Sequence, residues 1–195
     1  MPTLDLDIRA GLPSDLRALL SLYPRDVWMA HANLGATARF WLGRHDMFRE
    51  LGAALSSGLS DHREGRVDVS TFRHWFAPRL GFFLQNLEGH HQIEDQHYFP
   101  VFQSAERSLA HGFDLLEKDH GVIHDDLMAT ADTANRFLVA EKQSGGRPDD
   151  AARWAADAYA GASERLLRRL IRHLEDEEDL IIPLILDRGE AAIGI

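Results

Sequence analysis

Four long segments of this 195-residue chain carry apolar side chains at spacings of three and four residues. That period places the apolar side chains on one face of an α-helix, whereas a half-buried strand alternates at every second residue. No segment shows a convincing alternation of the strand type. The connections between the segments are short and polar, and short connections favour antiparallel neighbours. The sequence therefore predicts an all-α protein, an up-down-up-down four-helix bundle.

The segments also predict where the helices lie. The apolar faces span residues 27–55, 76–101, 109–138 and 159–184. Polar breaks separate the first two segments at 58–69 and the last two at 143–150. Pro100 is expected to kink or end the second helix, because proline has no N–H to donate.

Residues 1–23 are predicted to form an N-terminal extension with a short helix over 14–20, and residues 24–190 to form the bundle. The first residues, Met1–Asp5, lack the basic and then apolar pattern of a signal peptide. No segment approaches the ~18 consecutive apolar residues that a membrane span needs. We therefore expect a soluble, cytoplasmic protein with no membrane partner.

Composition excludes several classes of protein. The chain has 21 Lys and Arg against 31 Asp and Glu, a formal net charge of −10, which disfavours binding to a phosphate backbone. Nucleic acid is therefore not an expected partner. The chain has no cysteine, and this excludes disulfides, zinc–thiolate sites, iron–sulfur ligation and cysteine nucleophiles. The chain does contain 11 histidines, and histidine is the commonest metal ligand.

Several of these histidines interrupt the apolar faces of the helices. The polar residues on those faces come from all four helices, and they are His45, His90, Glu94, His120, His124, His173 and Glu177. Burial of a single unpaired carboxylate costs several kcal/mol. Seven such residues on four helices therefore need a common partner in the interior, and a metal centre is the simplest one.

The local spacings support a metal centre. His90 and Glu94, His120 and His124, and His173 and Glu177 are each four residues apart, so their Cβ atoms are expected ~5–6 Å from each other on one helix face. That separation suits two ligands of one metal or of a metal pair. A single His-x-x-x-Glu pattern is weak evidence. Two His-x-x-x-Glu patterns and one His-x-x-x-His pattern, on three helices and in register with the apolar face, are together much more specific.

Some assignments stay open at the level of sequence. His91 and Asp95 are also four apart, and a rotation of the second helix by one residue would exchange them for His90 and Glu94. Glu178 can replace Glu177 if the last turns are distorted. Two further histidines, His31 and His97, fit either an interior or a supporting role. His31 is ~21 Å along the helix axis from His45, so the two cannot bind the same metal pair.

The sequence resembles the hemerythrin-like (His-His-Glu) family of non-haem di-iron proteins over roughly residues 24–187. The resemblance is carried by one motif on each helix, namely His45–Arg49, His90–Asp95 with Tyr98–Pro100, Asp119–His124, and His173–Glu178 with Ile182–Pro183. Mixed imidazole and carboxylate ligation suits iron. The ferritin-type alternative uses Glu-x-x-His motifs, which are not suitably placed here.

The resemblance implies a cofactor of two iron ions joined by an oxo or hydroxo bridge. It assigns His120, His124 and His173 to one iron, His45 and His90 to the other, and Glu94 and Glu177 to both as bridges. The first iron then has six ligands and the second has five. The open position on the second iron can accept O2 or another small diatomic molecule.

Three functions are compatible with these residues. The first is reversible binding of O2 or a similar diatomic, for storage or sensing, because no general acid or base beyond the ligands lies on the apolar faces. The second is an enzyme that processes nitric oxide or peroxide, or that helps repair iron–sulfur clusters. Relatives of the repair type often carry an N-terminal region with cysteine, and this chain has none. The third is a metal-sequestering or purely structural bundle.

Overall fold

The computed structural model describes residues 4–145, 147 and 149–195, and every regular element among them is a helix. The all-α prediction is confirmed. The elements, in chain order, are α1 (Ala18–Leu22), α2 (Arg25–Trp28), α3 (Ala36–Arg63), α4 (Val69–Ile93), a π-helical turn (Glu94–Tyr98), α5 (Phe99–Ala105), a 3₁₀ turn (Arg107–Leu109), α6 (Ala110–Ser144), α7 (Asp150–Arg188) and α8 (Glu190–Ile193). Within the described ranges, none of these helices is both long and apolar enough to cross a membrane.

The chain divides into two compact units. The first contains the described residues up to Met47 together with His90–Gly121 and Arg169–Ile195, and the second contains Phe48–Gly89 and Val122–Arg168. Each of the four long helices contributes one stretch to each unit. The predicted boundary between an extension and a bundle after residue 23 stays a prediction.

Each unit has its own buried interior. In the first unit, Phe102 stacks on Phe113 with ring centroids 5.8 Å apart, and aliphatic side chains of the last turns of α7 surround them. In the second unit, Phe76 packs edge-on against Tyr159 at 5.3 Å. All four of these aromatic side chains are almost completely buried. The predicted stripes therefore do become buried faces.

The first long helix begins later than the sequence predicts. The pattern from residue 27 is interrupted after the short helix α2, and α3 starts at Ala36. The side chain of His31 accepts a hydrogen bond from the backbone N–H of Asn33 at 3.2 Å, and the Asn33 side chain donates to the carbonyl of Leu186 at 2.7 Å. These bonds stabilise a turn in place of helix.

The predicted break at 58–69 is shorter in the structure, because α3 continues to Arg63 and α4 begins at Val69. Gly58 therefore lies inside a helix. A Cβ at this position would lie 2.5 Å from Cζ3 of Trp75, so the glycine allows the indole ring to pack directly on the backbone of α3. Similarly, α1 begins at Ala18 and not at residue 14. In the predicted loop at 143–150, Gly146 and Pro148 lie outside the described residues.

As the sequence predicts for Pro100, the regular α-helix is interrupted in front of it. The helix α4 ends at Ile93, the π-helical turn follows, and Pro100 occupies the first turn of α5. Proline cannot donate to the carbonyl four residues earlier, and its ring would clash with that carbonyl in a regular helix. A widened turn removes that conflict, and such turns occur mostly at functional sites.

Glu190, the first residue of α8, caps the start of α3 within the first unit. Its Oε1 accepts a hydrogen bond of 2.8 Å from the backbone N–H of Ala38, one of the donors that the helix itself cannot satisfy. A Cβ on Gly35 would meet the same carboxylate, so the absence of a side chain at Gly35 leaves room for Glu190 to reach the start of α3.

We predict that Glu190→Ala lowers the free energy of unfolding by about 1 kcal/mol, because α3 loses a capping acceptor and a favourable charge at its N-terminus. Urea denaturation followed by circular dichroism measures this. Glu50→Ala, at an exposed position of the same helix, is the matched control and should change stability by less than about 0.5 kcal/mol. Equal effects of the two substitutions would show that the cap does not stabilise α3.

Candidate metal centre

Two groups of potential metal ligands lie in the first unit. One contains three histidines, His91, His120 and His173, and we call it the three-histidine group. The other contains His45, His90, Glu94 and Glu177, and we call it the mixed group. Within each group the ligand atoms all lie within 4.8 Å of one another. All of these side chains are buried except that of His90, which is partly buried.

In the three-histidine group, the imidazoles come from α4, α6 and α7. The Nε2 atoms of His120 and His173 are 3.1 Å apart. The ring of His91 stacks on the ring of His120, with centroids 4.0 Å apart and an angle of 9° between the planes. His91 also meets His173 edge-on at 5.4 Å. Three ring nitrogens from three helices thus converge on one small volume.

In the mixed group, α3 and α4 contribute the two imidazoles. The Nε2 atoms of His45 and His90 are also 3.1 Å apart. His90 Nε2 lies 2.9 Å from Glu94 Oε1, which belongs to the π-helical turn one turn further along. His45 Nε2 lies 3.6 Å from Glu177 Oε1. This group therefore joins two nitrogens and two carboxylates.

The two glutamates of the mixed group also face the three-histidine group. Glu94 places Oε1 near His90, and its Oε2 lies 3.6 Å from Nε2 of His120. Glu177 places Oε1 near His45, and its Oε2 lies 3.2 Å from Nε2 of His173. Each carboxylate thus presents one oxygen to each group. That is the arrangement by which a carboxylate can bridge two metal ions.

The other ring nitrogen of three of these histidines faces a carboxylate on the outer side. His45 Nδ1 is 2.9 Å from Glu178 Oε1, His120 Nδ1 is 2.7 Å from Asp95 Oδ1, and His173 Nδ1 is 3.5 Å from Asp119 Oδ2. An ionised carboxylate can only accept, so each Nδ1–H donates to it. With Nδ1–H engaged on the outer side, Nε2 is the ring nitrogen that faces the interior. Such outer carboxylates orient histidine ligands and raise their basicity.

Several atoms at the centre make no hydrogen bond of suitable geometry among the described residues, although some of them lie close to a histidine nitrogen. They are Nε2 of His91, both carboxylate oxygens of Glu94 and Oε2 of Glu177. Buried polar atoms without partners are rare and costly. Their convergence is the observation that fits a cation, because a cation would satisfy all of them at once. The donor set, imidazole nitrogen and carboxylate oxygen, suits a transition metal.

Burial and mutual proximity shift the pKa values of these groups in opposite directions. Burial and then the neighbouring Glu177 raise the pKa of Glu94 well above its usual value. Burial alone would raise the pKa of Glu177 as well, but His45 and His173 lower it below its usual value. Burial lowers the pKa of His90 to about 3. Burial opposes protonation of His173 too, but Asp119 and Glu177 outweigh it and raise the pKa of His173 to about 9.

An indole ring from α3 contacts the mixed group. Trp41 Nε1 donates a hydrogen bond of 2.6 Å to Oε1 of Glu177, and both side chains are buried. The indole lies 6.4 Å from the ring of His45 and 6.1 Å from that of His90. Trp41 thus fixes the orientation of Glu177 and covers one side of the mixed group with apolar surface.

The structure brings together six of the seven residues that the sequence singled out and places the seventh elsewhere. His124 lies in the second unit with its side chain 50% exposed, and its Nδ1 is 2.9 Å from Oε2 of Glu88. After His120, the buried face of α6 passes through Ile123 and Leu127. The face therefore continues at a spacing of three, whereas the sequence interpretation chose a spacing of four.

The residue that joins the three-histidine group, His91, appeared in the sequence only as an alternative to His90. The structure has both adjacent histidines directed into the centre, and Asp95, the possible partner of His91, lies behind His120. Glu178, the alternative to Glu177, lies behind His45. His31 lies in the turn before α3, and His97 is exposed. The ligand set implied by the resemblance stays a prediction.

The all-helical fold and the two histidine and glutamate groups define a metal-binding helical protein. The chain belongs to the hemerythrin HHE cation-binding domain family, because that family matches residues 37–185. This confirms the resemblance seen in the sequence. No protein of curated function and no solved structure matches the chain.

The pKa shifts predict how the stability of the metal-free protein depends on pH. The pKa of His173 is raised, so its contribution is complete below about pH 6.5 and is lost as the pH rises through about 9. The pKa of His90 is lowered, so its contribution is complete above about pH 6.5 and is lost as the pH falls toward 3. The pKa values of His91 and His120 are lowered like that of His90, so three histidines act in this direction and the single carboxyl group of Glu94, whose pKa is raised, acts in the other.

We therefore expect the thermal unfolding midpoint of chelator-treated protein to be highest near pH 6.5. Each pH unit away from that value costs about 1.4 kcal/mol for every proton exchanged on unfolding. Differential scanning calorimetry across pH 4.5 to 9.5 at constant ionic strength measures the profile. His173→Gln is expected to flatten only the alkaline side. A stability that rises steadily up to pH 9 would contradict the assignment.

Proposed function

We propose that the first unit holds two iron ions, joined by an oxo or hydroxo bridge, and reversibly binds O2 or a similar small diatomic molecule for storage or sensing. The observation that carries the proposal is the position of Glu94 and Glu177, each with one carboxylate oxygen toward each histidine group. A site for a single metal ion has no use for two carboxylates that face two groups.

The contacts support a specific assignment of the ligands. The three-histidine group would hold one iron through His91, His120 and His173, and the mixed group would hold the other through His45 and His90. Glu94 and Glu177 would bridge the pair. This set differs from the one implied by the resemblance at one position, with His91 in the place of His124.

The asymmetry between the groups supports binding of a small molecule. Each iron would share three bridging ligands, namely the two carboxylates and the oxo or hydroxo group. The iron bound by three histidines would then have six ligands, and the iron bound by two histidines would have five. The iron pair supplies an open, redox-active position on the side of His45 and His90.

The protein around that open position is aromatic. Trp41 lies against His45 and His90, and the rings of Tyr98 and Phe102 lie 4.8 Å and 5.9 Å from the ring of Trp41. The Trp41 N–H is already bonded to Glu177. An apolar surrounding excludes water and favours an uncharged ligand.

The finer features of the fold belong to the same proposal. We infer that the four long helices follow the up-down-up-down order typical of short connections and that the protein works in the cytoplasm. Limited cross-linking between engineered cysteine pairs on neighbouring helices tests the helix order, because this chain has no cysteine of its own.

We predict that the purified protein contains two irons per chain and that the reduced protein gains a visible absorption band on exposure to O2. The band should disappear when O2 is removed, over repeated cycles. Metal analysis and visible spectroscopy on one preparation measure both. Rapid catalytic loss of peroxide or nitric oxide would instead favour the enzyme, and a metal-free protein of full stability would favour a structural bundle.

We further predict that His91→Ala lowers the iron content to about one per chain, because the three-histidine group loses a nitrogen ligand. His124→Ala is the matched control and should retain two irons, since its imidazole is exposed and contacts Glu88. Iron analysis after removal of loosely bound metal measures both, and circular dichroism confirms the fold. Iron loss from the His124 variant with none from the His91 variant would restore the assignment implied by the resemblance.

A further inference from the structure

The N-terminal segment Leu4–Trp28, which we call the leader, lies outside the residues that match the family. It packs on the first unit through side chains that are almost completely buried, and these are Leu6, Leu12, Leu16 and Trp28. A Cβ on Gly112 of α6 would lie 3.0 Å from Cδ2 of Leu16, which shows how closely the leader approaches the helix. Each such side chain contributes about 2 kcal/mol through burial. The leader is therefore a fixed part of the first unit.

The leader places one arginine in the interior. The Arg9 side chain is only 2% exposed. Its Nη1 and Nη2 donate to the two carboxylate oxygens of Asp119, its Nε donates to Asp176 Oδ2 at 2.7 Å, and Nη1 also donates to the carbonyl of Leu4 at 3.1 Å. Two-pronged bonding of this kind fixes the plane of a carboxylate as well as its charge.

Asp119 is the carboxylate behind His173. Its Oδ2, which accepts from Arg9, lies 3.5 Å from Nδ1 of His173. Asp176, the other partner of Arg9, directly precedes Glu177. A chain of contacts thus runs from Arg9 through Asp119 to a member of the three-histidine group.

A second arginine of the leader makes the same connection to the mixed group. Arg25 Nη1 donates to Glu178 Oε2 at 2.8 Å, and Glu178 Oε1 lies 2.9 Å from Nδ1 of His45. Arg25 also donates from Nε to Asp179 at 2.8 Å, and its guanidinium lies 4.8 Å from the centre of the Trp28 ring. The Arg25 side chain is 45% exposed, so this contact lies nearer to the surface.

The third outer carboxylate differs from the other two in its exposure to solvent. Asp95, behind His120, is 29% exposed, so water can solvate it. Asp119 and Glu178 have side chains only 4% and 3% exposed. A buried carboxylate depends on protein donors for its hydrogen bonds and its orientation. The leader provides such donors to Asp119 and Glu178.

We propose that the leader is a clamp on the metal centre, in which Arg9 and Arg25 are positioning residues that each orient one ligand histidine through a carboxylate. Arg9 acts on the three-histidine group and Arg25 acts on the mixed group. This inference rests on the proposed function. It adds that retention of metal depends on a segment outside the family domain, and that each arginine governs a different iron.

The test uses the full chain loaded with ⁵⁷Fe, because Mössbauer spectroscopy distinguishes an iron with three histidines from an iron with two. Arg9→Lys keeps a charge but cannot bond both oxygens of Asp119 in the plane of a guanidinium. Arg25→Met removes the contact to Glu178. Arg169→Met is the matched control, because it also removes an arginine contact to the leader, the bond of 2.8 Å to Asp7. Asp7 is not one of the outer carboxylates, and Arg169 is not one of the two arginines tested.

We expect Arg9→Lys to release iron from the three-histidine group to a chelator about 10 to 100 times faster than the parent, the range typical when a partner behind a ligand is lost. Arg25→Met should release iron selectively from the mixed group. Arg169→Met should behave as the parent. Thermal unfolding of the metal-free proteins checks the fold of each variant, and Arg25→Met decides the question alone if Arg9→Lys does not fold.

Two results overturn the inference. One is release of both irons from the arginine variants at the parent rate, and the other is equal release of the two irons from every variant, the control included. A parent protein that holds two irons while the variants are unaffected contradicts the clamp and leaves the proposed function standing. A parent protein that holds no metal contradicts the proposed function, and the clamp with it.

Discussion

Imidazole nitrogens and carboxylate oxygens that face one another in a buried interior are the constraint on which this protein depends. Two pairs of imidazole Nε2 atoms lie 3.1 Å apart, between His45 and His90 and between His120 and His173, and the buried oxygens of Glu94 point toward both. Without a cation or a shared proton, such an arrangement repels itself and each carboxylate costs several kcal/mol. The fold tolerates it because the outer carboxylates hold the rings from behind. A metal pair would turn the repulsion into ligation, and in the proposed function folding and metal binding would then be coupled.

One local irregularity makes the convergence possible. The helix α4 sends His90 and His91 toward the centre from adjacent positions, and the π-helical turn that follows carries Glu94 there as well. A regular helix turns by about 100° per residue, so three inward side chains within five residues cover a wide arc. The widened turn in front of Pro100 is thus part of the site, and not only a response to the proline.

The sequence predicts the helical fold and most of the centre, because both follow from local periodicity. The sequence does not decide which face is buried where two periodic choices are equivalent. After His120, a spacing of three leads to Ile123 and a spacing of four leads to His124, and only tertiary packing decides that Ile123 is buried. It also fails where contacts join distant parts of the chain. Arg9 and Asp119 are 110 residues apart, and no spacing rule connects them.

The mixed group and the three-histidine group differ in the hydrogen bonding of the Glu177 carboxylate. Trp41 donates its N–H to Oε1 of Glu177, the oxygen that faces His45, while Oε2 on the side of His173 has no such bond among the described residues. A hydrogen bond to a ligand oxygen withdraws electron density from it and weakens its donation. The mixed group thus has one nitrogen fewer and, through Trp41, a weaker carboxylate as well. In the proposed metal pair, both effects would make the metal there more electron-poor than its neighbour, so the ligands and the indole would select the same side of the centre for an incoming small molecule.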